Sequence, residues 1–461
     1  MRHSRATRVA LAPAALAALL TLSGCVSVVV GRPSALDPPV RPAGGEVTIV
    51  GAVPGGVDDL ARDAIADLES YWADRFPEVF AQEFQPLQGG YFSVDPGNAD
   101  PSNYPQGVGC GADPLEAENN AYYCQSNQAA NSDAITYDRA FLAELAEDYG
   151  RFIPALVMAH EFGHAVQGRV GYPPASIATE TQADCLAGAW TAWVAAGDAE
   201  HTQIRAPELD DLLRGYLLLR DPVGTGTTAE TAHGSYFDRV SGFQEGFDSG
   251  PEACRDNFGP ERVYTQGEFS NEDVSTGGNA PYEELVGIMD RSLPAVWDEA
   301  FREVFSERFS APDIEPFRGR APDCAGEDRD LVYCGEDQVV GYDEADLAPR
   351  AYDLGDFAVA TAVAVPYGLA ARDQLGLSTD DPAALRSAVC LSGWYAAKVY
   401  NGQAGERVQI SPGDVDESVQ FLLTYGNDPD VLPAAGLSGF QLVDLFRNGF
   451  VRGLRACDVG A

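Results

Sequence analysis

Apolar residues recur at helical spacing along several segments of the chain, and this pattern predicts a mostly helical protein. Residues 57–85 show this periodicity clearly, with a stripe of aromatic residues on one face, which we interpret as a face that packs into the core. The stripe consists of Trp72, Phe76, Phe80 and Phe84. Another helix is predicted after Asp138, whose carboxylate can cap it, and it should run to Tyr149. A further helix is expected over Leu209–Leu219.

The segment 86–133 is rich in Gly, Pro and Asn, so we expect loops and short strands there. Residues 134–137, Ala-Ile-Thr-Tyr, are typical of a short strand. A helix should then start near Pro154, where proline is tolerated in the first turn, and end near Gly168. The pattern as a whole predicts an α+β fold that is mostly helical.

The most informative polar residues lie within this last predicted helix, at positions 160–164, which have the sequence HEFGH. His160 and His164 are four positions apart, so on a helix both imidazoles project from one face and can bind the same metal ion. Glu161 points toward the open side of such a metal, where its carboxylate can take a proton from water. The alternative interpretation is a set of hydrogen-bonded polar residues on an ordinary helix.

A second polar segment follows sixteen positions after His164, with the sequence ETQADCLAG over residues 180–188. A mononuclear catalytic zinc needs three protein ligands, and Glu180 can supply the third. Asp184, one helical turn later, is placed to accept the second ring N–H of a ligand histidine and fix its tautomer. Alternatively, Glu180 is a helix N-terminal residue and Asp184 a solvated surface acid. The first interpretation predicts one Zn²⁺ per chain.

Four strings together resemble the neutral zinc metallopeptidase family: HEFGHAVQ (160–167), ETQADCLAG (180–188), HGS (233–235) and a GFxxGFxSGxxxC run that ends at Cys254. The resemblance covers roughly residues 57–257. It implies a zincin-like fold of the Glu-ligand type, with His160, His164 and Glu180 as zinc ligands. It also implies Glu161 as the general base and Asp184 as a residue that supports a ligand. It says little about the substrate.

The N-terminus has the features of a lipoprotein export signal. Three arginines precede an apolar stretch over residues 9–22, which ends in Leu-Ser-Gly-Cys at Cys25. We therefore expect residues 1–24 to be removed, Cys25 to carry lipid, and residues 25–56 to form a flexible tether. A short transmembrane anchor is the alternative. The protein is then extracytoplasmic and held to the bacterial cell membrane through its N-terminal lipid.

The net charge of the chain limits the classes of partner that it can attract electrostatically. The formal net charge is −40, and removal of residues 1–24 would take away three arginines and no acidic residue. Such a surface excludes nucleic acid and anionic lipid as electrostatic partners.

The second half of the chain resembles the first at a shift of 205 positions, which places residues 152–171 over residues 357–376. The five polar positions of the first half become apolar in the second: Val365, Pro366, Leu369, Leu385 and Val389. Buried polar groups without a metal would be costly, so we expect residues 282–461 to be a folded, degenerate repeat that follows a linker at 258–281. Pro366 should kink or restart its helix. Chance similarity between alanine-rich helices is the alternative.

The cysteines repeat in the same order. Eight cysteines follow Cys25, four in each half, and an even number in an exported chain indicates disulfides. Sequence alone leaves the connectivity open, but repetition favours one pattern: Cys110–Cys124, Cys185–Cys254, Cys324–Cys334 and Cys390–Cys457. A cysteine-rich metal site is the alternative, although paired C-x-x-C spacing is missing.

These features favour zinc-dependent hydrolysis of an amide bond, with a peptide or a cell-envelope amide as substrate. His233 is the first candidate for a transition-state donor, ahead of Tyr236 and Tyr172, and its alternative role is to cap the following helix. Substrate is expected beside a sheet edge, at 134–137 or in the hairpin around Cys124. The competing function is a lipid-anchored binding or scaffold protein without turnover, whose second half holds an unidentified partner.

Overall fold

The computed structural model describes residues 47–461 except 230, 326–328, 406–407, 409 and 433–435. The predicted signal segment 1–24, the lipidation site Cys25 and residues 26–46 of the predicted tether lie outside the described residues. Helix makes up 56 % of the structure and the sheets are small, which confirms the predicted α+β class with helix dominant. Within the described ranges, no helix combines the length and hydropathy needed to cross a bilayer.

The first half contains a four-stranded sheet in the order β1-β2-β4-β3. Its strands are β1 (Ile49–Val50), β2 (Gly90–Val94), β3 (Ala121–Cys124) and β4 (Ala134–Asp138). β2 pairs in parallel with β1 and β4, whereas β3 is antiparallel to β4. The predicted strand at 134–137 is confirmed as β4, but the prediction that it offers a free edge is wrong because both its sides are paired. The edge strands of this sheet are β1 and β3. Residues 49–50 of the predicted tether are already part of this sheet.

The helices of the first half pack mainly against one another. They are α1 (Val57–Phe80), α2 (Arg139–Tyr149), α3 (Ile153–Val170), α4 (Ser176–Ala195), α5 (Ala206–Leu219) and α6 (Tyr236–Asp256). Of these, α2 and α3 also contact the sheet. α1 ends earlier than predicted because Ala81 adopts the left-handed conformation. Phe84 therefore lies beyond the helix, yet its ring still packs against Phe76, with the two centroids 5.3 Å apart. The aromatic stripe is thus a core face, as predicted.

The second half contains a three-stranded sheet in the order β5-β7-β6. Its strands are β5 (Asp313–Phe317), β6 (Leu331–Cys334) and β7 (Val339–Asp343). Its helices are α7 (Asp273–Thr276), which lies in the predicted linker, α8 (Tyr282–Ala300), α9 (Leu347–Tyr352), α10 (Asp356–Gln374), α11 (Pro382–Tyr400), α12 (Asp414–Tyr425) and α13 (Gly439–Arg452). A π-helical turn at Phe301–Phe305 extends α8. Short 3₁₀ turns occupy Pro96–Asn98, Pro101–Asn103, Gly109–Gly111, Pro114–Ala117, Asp323–Ala325 and Leu454–Ala456.

The two halves have the same order of elements, from α1 and α8 through a sheet to five helices each. Three strands of each half correspond, namely β2, β3 and β4 in the first half and β5, β6 and β7 in the second. The first and third strands of each set are parallel to each other, β2 with β4 and β5 with β7. The middle strand is antiparallel to the last in both cases. Helices α4 and α6 approach closely through Gly188, because a Cβ there would overlap the carbonyl oxygen of Phe243. Gly393 has the same relation to Phe446 between α11 and α13.

The second half is apolar where the first carries its candidate site. Val365, Pro366 and Val389 are buried, and Leu369 and Leu385 are half-buried against the same core. Of the two effects expected of Pro366, a kink or a restart of its helix, the restart is wrong, since α10 continues without interruption from Asp356 to Gln374.

Disulfides join the eight cysteines in the four pairs that repetition favours. Cys110–Cys124 and Cys324–Cys334 close short loops. Cys185–Cys254 ties α4 to α6, and Cys390–Cys457 ties α11 to the turn after α13.

The halves share one core and cap each other's helices. The described residues from 47 to 461 belong to one compact unit. Asp210 on α5 accepts hydrogen bonds from the amides of Gly439 (3.0 Å) and Phe440 (2.7 Å) at the start of α13. Asp416 on α12 accepts from the amides at the start of α6 in the same way. Each half therefore supplies a carboxylate that satisfies the N-terminus of a helix in the other.

We expect Asp210→Ala to lower the free energy of unfolding by about 1–2 kcal/mol, because two buried amides of α13 lose their acceptor. Denaturant unfolding of the purified protein measures this loss. Asp211→Ala is the matched control, since Asp211 is an adjacent half-exposed acid paired with Arg214, and it should cost no more than about 0.5 kcal/mol. Equal losses in the two variants would contradict a capping role for Asp210.

Candidate metal centre

The candidate centre lies where α3 and α4 pack against each other. α3 carries His160, Glu161 and His164, and α4 carries Glu180 and Asp184. The helices approach closely at Gly163, where a Cβ would lie 2.8 Å from the Cα of Ala183. The glycine within HEFGH is therefore a packing requirement that lets α4 bring its carboxylates to the histidines.

Three donor groups converge on one point. The Nε2 atoms of His160 and His164 are 3.1 Å apart. The Glu180 carboxylate places Oε2 3.3 Å from His160 Nε2 and Oε1 3.5 Å from His164 Nε2. Tetrahedral zinc with bonds of about 2.0–2.1 Å separates its ligand atoms by about 3.3 Å. The donor set and its spacing therefore fit one zinc ion.

A hydrogen-bond partner at Nδ1 orients each of the two histidine rings. His160 Nδ1 lies 2.9 Å from Asp184 Oδ1, and His164 Nδ1 lies 2.9 Å from Gln167 Oε1. With an acceptor at each Nδ1, the proton of the neutral ring resides there and the Nε2 lone pair is free for a metal. Asp184 occupies the position predicted for it, whereas Gln167 was not anticipated.

Asp184 is in turn held by Arg239 on α6, through contacts of 2.8 Å from Nε to Oδ2 and 2.9 Å from Nη2 to Oδ1. Both side chains are almost fully buried. The guanidinium also donates to the carbonyl of Leu219. Such a bidentate pair fixes the carboxylate in position and in charge, so a third helix controls the orientation of His160.

Glu161 lies beside the three donors but faces the sheet. Its Oε2 accepts a hydrogen bond of 2.6 Å from the backbone amide of Tyr123 on β3. The carboxyl is 6 % exposed, and its burial raises its pKa despite the two neighbouring histidines. The Cys110–Cys124 disulfide anchors the end of β3 next to this contact.

The carboxylates around the centre stabilise positive charge on the ring of His160. Burial alone would lower the pKa of His160, but Asp184 outweighs it and raises this pKa to about 10. Burial would raise the pKa of Glu180, but hydrogen bonds to both histidines hold it well below its usual range. Burial acts in the same direction on Asp184, and Arg239 and His160 together lower its pKa. The two carboxylates are therefore ionised at neutral pH.

His233 lies in the loop before α6 with its side chain 48 % exposed. Its Nδ1 is 3.0 Å from Asp221 Oδ1, and its amide donates to Asp221 Oδ2 at 2.7 Å. This pairing fixes the ring orientation and leaves Nε2 available. The N-cap of α6 is Ser235, so the alternative capping role of His233 is not seen.

The two tyrosine candidates differ. Tyr236 is 1 % exposed and its hydroxyl donates to the carbonyl of Leu213, so it cannot act as a donor to substrate. Tyr172 is 49 % exposed, and its hydroxyl lies 3.5 Å from the carbonyl oxygen of His164. Tyr172 therefore stays available beside the centre.

Four supporting contacts were not anticipated from the sequence: those of Gln167, Arg239, Asp221 and the Tyr123 amide. Gln167 follows His164 by three positions on one helix, so its spacing could have revealed it. The others come from distant segments and depend on the fold.

Comparisons with known proteins find relatives but no assigned activity. The chain is 30 % identical over 172 residues to uncharacterized proteins of Mycobacterium tuberculosis and Mycobacterium bovis. It is also 30 % identical over 175 residues to the uncharacterized protein YpfJ of Escherichia coli. The matches cover 32 % and 33 % of this chain, respectively, and 58 % of each relative, so the chain spans less than two thirds of their length. Neither a protein-family model nor a solved structure matches the chain.

Proposed function

We propose that the protein is a zinc-dependent hydrolase of amide bonds, of the Glu-ligand zincin type suggested by its resemblance to the neutral zinc metallopeptidases. One observation carries this proposal: His160, His164 and Glu180 hold three donor atoms 3.1–3.5 Å apart, the spacing of a tetrahedral zinc site. A carboxylate without a ligand role, Glu161, lies beside them. This is the minimum set for a hydrolytic site with three protein ligands and one open position.

When bound, zinc would polarise the scissile carbonyl and acidify a water molecule. Glu161 would accept the proton of that water and deliver it to the leaving amine. The amide of Tyr123 holds its carboxylate in place at 2.6 Å, so the base needs little reorganisation before it acts. His233, oriented by Asp221, would donate a hydrogen bond to the developing negative charge, with Tyr172 as the other candidate.

The edge of β3 is the proposed place for an extended substrate. β3 pairs with β4 on one side, and the Tyr123 amide on it reaches Glu161, so the unpaired side adjoins the centre. A peptide that adds to this edge would place its backbone beside the metal ligands. A cell-envelope amide is the second substrate class, and the residues of the site fit both.

The second half is proposed to be a degenerate copy of the first. The shared element order, the matching strand directions and the paired glycines Gly188 and Gly393 support a duplication. Buried aliphatic groups such as Val365 and Val389 replace the polar positions, so this copy would bind no zinc. The proposed lipid anchor at Cys25 and the four disulfides agree with a role outside the cytoplasm.

We expect Glu161→Gln to retain about one zinc per chain while turnover falls by about 10²- to 10⁴-fold, because the amide cannot accept a proton. Metal analysis and cleavage profiling on peptide libraries and cell-wall fragments measure the two quantities. Glu147→Gln on the exposed face of α2 is the control and should match the wild type. Activity retained in Glu161→Gln would remove Glu161 from the base role. A zinc-loaded wild type that cleaves neither substrate class would favour the binding or scaffold function.

We expect Asp184→Asn to weaken zinc binding by about 10- to 100-fold, because the amide orients His160 poorly and leaves the Arg239 charge unpaired. Competition with a chromogenic chelator measures the affinity. Asp221→Asn serves as the comparison, since Asp221 contacts His233 and should lower turnover without changing zinc affinity. Unchanged affinity in Asp184→Asn would show that His160 needs no orienting partner.

A further inference from the structure

Three carboxylates are buried together in the second half, on elements that contribute nothing to the zinc site. Asp356 begins α10, Asp414 begins α12, and Glu417 follows in the first turn of α12. One oxygen of each lies within 4.8 Å of an oxygen of the other two. The three residues are 6 %, 4 % and 8 % exposed, respectively, so water does not solvate them freely.

A backbone amide holds one oxygen of each carboxylate. The pairs are Ala280 N to Asp356 Oδ2 (2.7 Å), Ser411 N to Asp414 Oδ2 (2.8 Å) and Phe357 N to Glu417 Oε2 (2.8 Å). Gly355 permits the approach of Glu417, because a Cβ at this position would overlap the Glu417 carboxylate. The cluster is therefore assembled from three separate segments and is fixed in place by the main chain.

The remaining oxygen of Asp356, Oδ1, is buried and has no hydrogen-bond partner. Native structures rarely leave a buried carboxylate oxygen unpaired, because its desolvation is not compensated. Among the described residues, no Lys, Arg or His side chain forms an ion pair with any of the three carboxylates. The orphaned oxygen of Asp356 therefore points to a cation at the cluster.

The negative charge that remains on the three carboxylates indicates the charge of the bound cation. The N-termini of α10 and α12 meet at the cluster, and each supplies about +0.5 of a charge, so about two of the three negative charges remain. Without a cation the cluster would have to share protons, because three buried carboxylates this close together cannot all stay ionised. A divalent ion balances the same charge and leaves all three carboxylates ionised.

We propose that Asp356, Asp414 and Glu417 bind a calcium ion that joins the segment at Ala280 to the starts of α10 and α12. Calcium binds about six to eight oxygen atoms with flexible geometry, whereas zinc prefers nitrogen or sulfur and magnesium keeps several waters in a strict octahedron. A cavity of about 890 Å³ lies on the other side of the segments that hold the carboxylates, and it is lined by Asn279, Ala280, Ser411 and Gly413. This inference does not depend on the proposed hydrolase activity.

The test starts with the purified full-length protein after treatment with EGTA. Dialysis against calcium should restore about one Ca²⁺ per chain by elemental analysis, and Tb³⁺ should compete for it. Calcium at 100-fold excess over its dissociation constant should raise the thermal midpoint by about 3 °C, and magnesium should raise it less. A wild type that binds no calcium and whose midpoint is unchanged would overturn the proposal and favour shared protons.

Substitutions test which residues bind the calcium ion. Asp414→Asn combined with Glu417→Gln should abolish calcium binding and the calcium-dependent shift, whereas Glu303→Gln with Glu307→Gln, on an exposed segment, should abolish neither. Glu180→Gln should lose zinc and keep calcium, which separates this inference from the proposed function. Undiminished calcium binding in the Asp414/Glu417 variant would overturn the assignment of the site. If that variant fails to fold, the wild-type titration with calcium and Tb³⁺ still decides whether the ion binds.

Discussion

One buried ion pair holds the candidate metal centre together. Asp184 on α4 lies between His160 on α3 and Arg239 on α6, and it has almost no contact with solvent. A buried carboxylate without its guanidinium would cost about 3–5 kcal/mol, so the three helices have to keep this register. The orientation of His160 thus depends on α6, a helix that contributes no ligand of its own.

The position of α6 depends in turn on the second half. Asp416 accepts hydrogen bonds from the first amides of α6, and Phe237 of α6 packs against Phe446 and Phe450 of α13. The second half has apolar residues at the five candidate-site positions but retains this carboxylate. This carboxylate complements the N-cap Ser235, which binds the amide of Asp238, so the second half satisfies the two α6 amides that Ser235 does not reach.

Local spacing allowed much of this arrangement to be predicted. His160 and His164 share a helical face whatever the tertiary fold, and Glu180 and Asp184 do the same on the next helix. The disulfide pairs followed from the repetition of cysteines.

The edge strand could not be assigned from local spacing, because β2 pairs with β4 across a long segment that includes β3. Arg239, the reciprocal caps and the buried triad of Asp356, Asp414 and Glu417 were missed for the same reason, since each joins residues far apart in sequence. Pro366 shows the opposite failure, as packing on all sides of α10 overrides a local helix breaker.

The crossed caps also impose an order of events on the newly made chain. Synthesis proceeds from the N-terminus, so His160, Glu180 and Arg239 are made long before Asp416 is. Until α12 is complete, two amides in the first turn of α6 lack their acceptor, and the helix that carries Arg239 is less firmly held. The amides of Tyr236 and Phe237 therefore gain this acceptor only after most of the polypeptide has been made, so the last contacts that support the centre form late in synthesis.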